Sequence, residues 1–235
     1  MAQGPTTQEI CDIASQAVSI FSANGLRGCL FGSTVSWLHG LDRPPNDVDL
    51  VVFTAFHVQA QLKDMLVHTN LNRGFYLAPA ATPGADYEVL WYRLPGRSYR
   101  GRWRCCKVDV LVPNNRNLTI PVVPHYRVYW SGSLPFMPLI PLLLVKLQGW
   151  IARRTEAKEA VDAQDVYLLL QLAVGRREHV WQTNLGWLST AYIRGATVWI
   201  SEYVEEYSKT EEGWRMAGFN VHYQGKADDW EIDSD

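Results

Sequence analysis

The chain places two carboxylates one residue apart inside a segment that otherwise has the composition of a buried strand. The segment is DVDLVVF (47–53), and its acids are Asp47 and Asp49. Because side chains alternate between the two faces of a strand, both acids lie on one face, and Val48 and Leu50 lie on the other. Two carboxylates so close repel each other unless a cation lies between them, and hard oxygen ligands suit Mg²⁺ or Mn²⁺. The pattern predicts a divalent metal site; the alternative is a strand end whose acids meet solvent or an arginine.

A Gly-Ser pair precedes these acids by one short helix and a turn. Gly32 and Ser33 end a strand-like run and begin a helical segment. Free backbone NH groups at such a point can receive a phosphate, and glycine allows it to approach closely. We therefore expect Gly32 and Ser33 to bind phosphate groups beside the acidic strand.

A third carboxylate, Asp109, lies in CKVDVLV (106–112), again with apolar residues at the alternate positions. If this strand neighbours the first one, Asp109 completes a three-carboxylate cluster with Asp47 and Asp49. Lys107 shares a face with Asp109, so a simple ion pair between these two side chains is the alternative. The spacing alone favours neither.

In their order along the chain, these residues resemble the motifs of the nucleotidyltransferase superfamily, whose fold is that of the DNA polymerase beta palm. The resemblance implies that Asp47, Asp49 and Asp109 are catalytic residues that bind two Mg²⁺ (or Mn²⁺) ions. It further implies that Asp109 helps to deprotonate the attacking hydroxyl, and that Gly32 and Ser33 bind the phosphates of the nucleotide.

The activity that this resemblance implies is transfer of a nucleoside monophosphate from a nucleoside triphosphate, such as ATP. The receiving group would be a hydroxyl or a phosphate of an unidentified acceptor, either an RNA such as tRNA or a small molecule, and pyrophosphate would be released. Two ions can clamp the attacking and leaving oxygens of such a displacement and neutralise the triphosphate.

A helical segment in the second half of the chain, residues 146–169, adds a second resemblance. It is similar to the helical part of small toxin-type (abortive-infection) nucleotidyltransferases, and antibiotic-modifying nucleotidyltransferases are also near in pattern. By this resemblance Lys146 contacts the nucleotide phosphates. Lys158 and Asp162 also have the spacing of an ordinary i,i+4 surface pair, and Asp165 is expected to orient a lysine or arginine.

A basic and aromatic cluster lies in a predicted hairpin. Its six basic residues have no acid among them and are Arg93, Arg97, Arg100, Arg102, Arg104 and Lys107. Tyr99 and Trp103 are interleaved with them, so the cluster could bind a phosphorylated acceptor through charge and stacking. A solvated hairpin tip is the alternative. Alternation places Arg102 and Arg104 on the face opposite Asp109.

Aromatic residues elsewhere are candidates for acceptor contacts. Tyr126, Tyr129 and Trp130 lie in the connector between the two halves, where clefts tend to form. We expect most of the other tryptophans to belong to the core.

The elements that position these residues follow from periodicity and caps. Thr6 and Glu9 form a capping box that begins a first helix. A strand, a short helix, the acidic strand, another helix and a hairpin follow, which predicts an α/β (α+β) domain over residues 1–133. By the resemblance, this is the nucleotidyltransferase domain, with a short mixed sheet flanked by helices. Residues 134–235 are predicted to form a C-terminal helical bundle with an acidic tail.

Composition excludes several classes of protein. The chain has 235 residues, 47% of them hydrophobic, and a net charge of -2, so it is neither disordered nor generally basic. Its longest apolar stretch is too short and too rich in proline to span a membrane. The cysteines show no zinc spacing and suit reduced thiols. We therefore expect a cytoplasmic protein that does not contact membrane.

Two other functions remain open from the sequence. A nucleotide-binding module could have kept the fold and lost catalysis, although such a protein has no reason to retain three costly acids. An RNA-binding protein that uses the basic hairpin would show steep salt dependence of its RNA affinity, independent of the acids.

Overall fold

The structure is a computed structural model of the chain. It describes residues 4–69, 71, 73–82, 84–96, 103–113, 118–154, 157–181 and 185–221. The chain divides into two compact units after Lys146. Our division into domains at residue 133 stays a prediction, because compactness does not test whether a segment folds or acts on its own.

A mixed sheet forms the centre of the first unit. In the described part of the chain its strands are β1 (Gly28–Phe31), β2 (Asp47–Val52), β3 (Phe75–Pro79), β4 (Glu88–Arg93), β5 (Cys105–Leu111), β6 (Tyr129–Ser131) and β7 (Leu134–Phe136). They are arranged in the order β3-β4-β5-β2-β1-β7-β6. Strand β2 pairs parallel to β5 and β1 parallel to β7, and the other pairs are antiparallel.

Helices accompany this sheet and continue through the second unit. Those in the described residues are α1 (Thr7–Ala23), α2 (Gly32–Leu38), α3 (Gln59–His68), α4 (Leu139–Ala152), α5 (Glu159–Gly175), α6 (Thr190–Glu206) and α7 (Glu211–Met216). The predicted fold class, an α/β sheet flanked by helices and followed by helices, is confirmed.

The first helix begins where the capping box predicts. Thr6 accepts a hydrogen bond from the backbone NH of Glu9, and the carboxylate of Glu9 accepts one from the backbone NH of Thr6. The apolar positions of α1, including Ile10 and Phe21, are buried. Local sequence is sufficient here because both the cap and the apolar face recur within single helical turns.

The two faces of the sheet differ in composition. Val48 and Leu50 of β2 and Val108 and Val110 of β5 are fully buried on the face that α1 covers. The intervening residues of β5 point to the opposite face and are only half-buried. The apolar face forms the core of the first unit, and we call the other one the open face of β3, β4, β5 and the start of β2.

Three strands were not predicted from the sequence. Leu134–Phe136, which we assigned to the helical half, forms β7 and pairs with β1 through Phe136 and Leu30. A three-residue strand with a central proline has no periodicity to detect, so only its pairing with a distant segment identifies it. The same applies to the short strand β6, and β3 follows a turn that we did not recognise.

Aromatic side chains dominate the core of the second unit. Trp150 and Trp214 are fully buried, and their rings contact Tyr203 edge to face at centroid distances of 4.9 and 6.2 Å. The expectation that most tryptophans are core residues holds for these two, whereas Trp181 is 70% exposed. Among the described residues, no helix combines the length and the apolar content needed to cross a membrane.

Candidate functional site

Three carboxylates converge on the open face of the sheet. Parallel pairing places Asp49 of β2 directly beside Asp109 of β5, with Asp47 on the same face of β2. One oxygen atom from each of these side chains lies within 4.8 Å of the others. The two acidic strands are therefore neighbours, and Asp47, Asp49 and Asp109 form a cluster.

Lys107 lies beside the three carboxylates. It lies in register with Asp47 and donates to Asp109, with 2.5 Å between Nζ and Oδ2. The sequence left open whether Asp109 joins the acidic cluster or pairs with Lys107, and in the structure it does both. One ammonium group thus offsets part of the charge of three carboxylates.

Gly32 lies directly beside the carboxylate of Asp49. Its φ angle is +70°, a region that favours glycine. A Cβ at this position would lie 1.9 Å from Oδ2 of Asp49, so no side chain fits. Glycine is thus required here because the carboxylate of Asp49 packs against the turn between β1 and α2.

The hydroxyl groups that follow Gly32 hold the start of β2. Ser33 donates to Oδ1 of Asp47 at 3.0 Å, and Thr34 donates to the backbone carbonyl of Asp47 at 2.9 Å. Ser33, which we expect to bind phosphate, thus contacts the first acid. The phosphate-binding role of Gly32 and Ser33 stays a prediction, and Thr34 is a positioning residue that sequence reasoning missed.

Burial and like charge perturb the cluster. Desolvation raises the pKa of Asp49 to about 7, and the negative charges of Asp47 and Asp109 act in the same direction, whereas Lys146 and Lys107 oppose the shift. Closely spaced acids without a cation have raised pKa values, because each negative charge disfavours ionisation of its neighbours. Lys146 therefore lies near enough to Asp49 to influence its ionisation, while its contact with nucleotide phosphates stays a prediction.

The donor set suits a hard divalent cation. All three ligand groups are carboxylates, which Mg²⁺ and Mn²⁺ prefer, and the cluster has the compactness that a shared ion requires. The cost of ionising Asp49 falls when a cation is bound between the acids, because the cation replaces repulsion by attraction. The residues present therefore fit a metal site.

The predicted basic cluster divides between the two faces of the sheet. Arg104 forms an ion pair with Glu9 of α1 at 2.6 Å, on the buried face, as strand alternation predicts. Arg93 lies on the open face. The other arginines of this cluster, residues 97, 100 and 102, lie outside the described residues.

The remaining predicted residues have different environments. Asp162 forms an ion pair with Arg153 at 2.7 Å. The spacing in the sequence had suggested Lys158 as its partner. Asp165 is buried in α5. In the connector, Tyr126, Tyr129 and Trp130 are exposed by 76, 44 and 54%, and their role as acceptor contacts stays a prediction.

Sequence reasoning missed an aromatic row that leads to the cluster. Tyr76 of β3 is in register with Trp91 of β4, Trp91 with Lys107, and Lys107 with Asp47. Directly opposed residues point to the same face, so these four side chains cross the open face in one line. Alternation within YEVLWYRL places Trp91 and Arg93 on one face, but only the strand order identifies which face.

A solved structure has a fold similar to that of this chain. The chain is similar to an antigenic nucleotidyltransferase-like protein from Paracoccidioides brasiliensis, with a TM-score of 0.60 and 14% identity over 93% of this chain and 97% of that one. A weaker structural match is JHP933 from Helicobacter pylori, with a TM-score of 0.49 and 11% identity over 90% of this chain and 79% of that one.

No protein-family model matches the chain, and no curated protein matches it significantly. The fold assignment therefore depends on the first structural match together with the observed topology. The chain has the fold of nucleotidyltransferase-like proteins, and it carries a carboxylate triad where a metal can bind.

Proposed function

We propose that the protein is a metal-dependent nucleotidyltransferase, which transfers a nucleoside monophosphate from a nucleoside triphosphate to a hydroxyl or phosphate of an acceptor. The observation that carries this proposal is the convergence of Asp47, Asp49 and Asp109 beside the turn at Gly32. A fold of nucleotidyltransferase-like proteins supports it.

The three carboxylates would hold the divalent cations. Bound there, Mg²⁺ supplies Lewis acid chemistry, in that it neutralises the triphosphate and lowers the pKa of the attacking group. The chain itself keeps the ligands in place, since Ser33 and Thr34 fix Asp47 and Gly32 leaves room for Asp49. Preorganised acids avoid the cost of rearrangement during the reaction.

The reaction conserves atoms and charge without another reactant. An oxygen of the acceptor forms a bond to the α-phosphorus of the triphosphate, and the bond from that phosphorus to the bridging oxygen breaks. Pyrophosphate leaves with the electron pair of that bond. When the acceptor group is a hydroxyl, its proton passes to the carboxylate of Asp109, which lies beside the other acids and is paired with Lys107.

Lys146 has a proposed role on the nucleotide. It lies on α4 near enough to Asp49 to affect the pKa of that carboxyl. An ammonium group beside the acids is suited to contact a triphosphate that the cations bring there. We propose that Lys146 binds the phosphates, and that Gly32 and Ser33 do so from the turn.

The test is transfer of label from a triphosphate. The protein is incubated with Mg²⁺, a cell extract and each α-labelled triphosphate in turn, and the labelled fractions are then separated by size. We expect label in one size class, together with pyrophosphate. Asp47→Asn and Asp49→Asn should reduce both to background, because each removes a ligand charge from the cluster without changing its shape.

Asp12→Asn is the matched control, since Asp12 is exposed on α1 and interacts with Gln8. It should retain full transfer. Circular dichroism is used to check that each variant is folded. Full activity of Asp47→Asn or Asp49→Asn would contradict the proposal, and nucleotide binding without pyrophosphate release for any acceptor would favour a module that has lost catalysis.

A further inference from the structure

The open face of the sheet carries an aromatic and cationic surface beside the acidic cluster. Tyr76 and Trp91 are half-buried, Arg93 is exposed, and all three lie on the face that bears Lys107 and Asp47. We call Tyr76, Trp91, Arg93 and Trp103 the aromatic track. No step of the proposed reaction has so far used these residues.

In the track, Trp91 lies one strand away from Asp109 and two strands away from Asp47. Trp91 is opposite Lys107 on the neighbouring strand, and Lys107 is opposite Asp47 on the next. At about 4.8 Å between strands, Trp91 lies about 10 Å from Asp47. A terminal nucleotide and its neighbour can bridge this distance, so a base held at Trp91 would place its chain end at the acids.

Arg93 gives the track its charge and part of its rigidity. Its guanidinium carbon lies 5.3 Å from the centroid of the Tyr76 ring and 5.4 Å from that of Trp103. Cation–π contacts with these two rings hold the side chain in place, and Arg93 nevertheless remains exposed. In the part of the chain that the structure describes, no acidic side chain forms an ion pair with Arg93.

A groove of about 570 Å³ continues the track beside the start of β3 and the end of β4. Arg73, Arg93, Tyr76 and Trp103 line it, and none of its lining residues is acidic. Such a surface attracts anions and repels a cationic small molecule. Exposed aromatic rings and arginines along one line are the means by which proteins bind single-stranded nucleic acid, through stacking and backbone charge.

From this arrangement we infer that the acceptor is the end of a single-stranded polynucleotide, which the aromatic track binds. This inference rests on the proposed function. The bases stack on Trp91 and on the exposed rings beside it, Arg93 and Arg73 contact phosphates, and the terminal hydroxyl reaches the acids. The NMP then extends the strand by one nucleotide, as in the bond exchange described above.

Fluorescence anisotropy with labelled oligonucleotides tests the inference separately from catalysis. The full chain is titrated into fluorescein-labelled single-stranded RNA of about ten nucleotides, with Mg²⁺ but without triphosphate. The same sequence is used as single-stranded DNA and as an RNA duplex. We expect both single strands to bind more tightly than the duplex, because paired bases cannot stack on a side chain.

Three variants locate the binding surface. Trp91→Ala should weaken binding of the single strand by about tenfold, and Trp91→Phe should restore most of it, because a phenyl ring still stacks. Arg93→Ala should lower the slope of log affinity against log salt by about 0.7 for one lost phosphate contact. Trp181→Ala is the control, since Trp181 is an exposed tryptophan of the second unit.

Two results would overturn the inference. One is no binding of either single strand up to about 100 µM protein at physiological salt, the weak limit for non-specific binding. The other is a Trp91→Ala protein that is folded and binds as tightly as Trp181→Ala. Neither result touches the proposed function, which is tested separately by the transfer of label and its dependence on Asp47 and Asp49.

Discussion

At the scale of single residues, the candidate site depends on close fits around a few small groups. Gly32 is required by two independent constraints, a positive φ angle and the carboxylate of Asp49 where a Cβ would be. Lys107 lies in register with Asp47 and forms an ion pair with Asp109. Each of these features makes a separate prediction.

Gly32→Ala should unfold more readily than the parent protein and bind Mg²⁺ more weakly. Gly25→Ala is a matched control, because Gly25 has a φ angle of +71° with open space around it. Both variants carry backbone strain of about 1–3 kcal/mol, but only the first displaces Asp49. Urea unfolding and calorimetric Mg²⁺ titration measure the two effects. Equal losses in the two variants would contradict the contact with Asp49.

Lys107→Met should destabilise the metal-free protein and increase its affinity for Mg²⁺. The substitution removes the ammonium that offsets the acids, so more negative charge is left for the cation to neutralise. Since both partners are partly exposed, we expect a stability loss of up to about 1 kcal/mol. Thermal unfolding with and without Mg²⁺ checks this, with Lys209→Met as an exposed control. A weaker Mg²⁺ affinity would refute it.

At the scale of elements, strand pairing and helix capping bring distant segments together. The hydroxyl groups of α2 hold the start of β2, and Glu9 connects the first turn of α1 to Arg104 before β5. Arg104 was considered for acceptor binding from the sequence. Its ion pair with Glu9 instead gives it a structural role, which alternation had indicated by placing it opposite Asp109.

Glu9→Gln should lower the free energy of unfolding by about 1 kcal/mol at pH 7, and by much less near pH 3. The hydrogen bonds from Arg104 hold the pKa of Glu9 below its usual value. A depressed carboxyl pKa stabilises the fold above the unfolded pKa, about 4.3, and this stabilisation is lost as the pH falls through the folded pKa.

Urea unfolding at the two pH values measures the difference between Glu9→Gln and the parent protein. Glu211→Gln is the control, because Glu211 also pairs with an arginine, Arg215, but only four residues away in the same helix. A difference that grows towards low pH would show that the ion pair does not supply this stability.

At the scale of the whole molecule, the first unit carries a cluster of charged side chains on one face of its sheet. The acids that are costly without a cation lie at the junction of β1, β2 and β5, where they are backed by a buried apolar face. Desolvation and mutual repulsion raise the pKa of Asp49, so we expect the cluster to reduce the stability of the metal-free protein.

Mg²⁺ should therefore stabilise the protein against unfolding, and a chelator should reverse the effect. At a concentration of one hundred times the dissociation constant, a single bound ion contributes about 2.7 kcal/mol. Thermal unfolding over a series of Mg²⁺ concentrations measures this. Asp49→Asn should show little response, while Asp12→Asn should respond as the parent does. An identical response of all three proteins would place the bound ion elsewhere.

The sequence by itself determined those features that depend on neighbouring residues. The capping box at Thr6 predicted where α1 begins, and alternation in β2 predicted that Asp47 and Asp49 share a face, because helical turns and strand pleats are set by local geometry. The motif order predicted a nucleotidyltransferase fold, and the topology and the structural match agree with it.

Only the tertiary structure decided which strands are neighbours and in what register. Pairing of β5 with β2 brings Asp109 to Asp49, and pairing of β4 with β5 brings Trp91 to Lys107. Strand pairing joins segments far apart in the chain through backbone hydrogen bonds that any residue can make, so it leaves little local signature. For this reason the acids were recognisable from the sequence, whereas Tyr76 and Trp91 were not, and Arg93 and Trp103 were named without their place beside the acids.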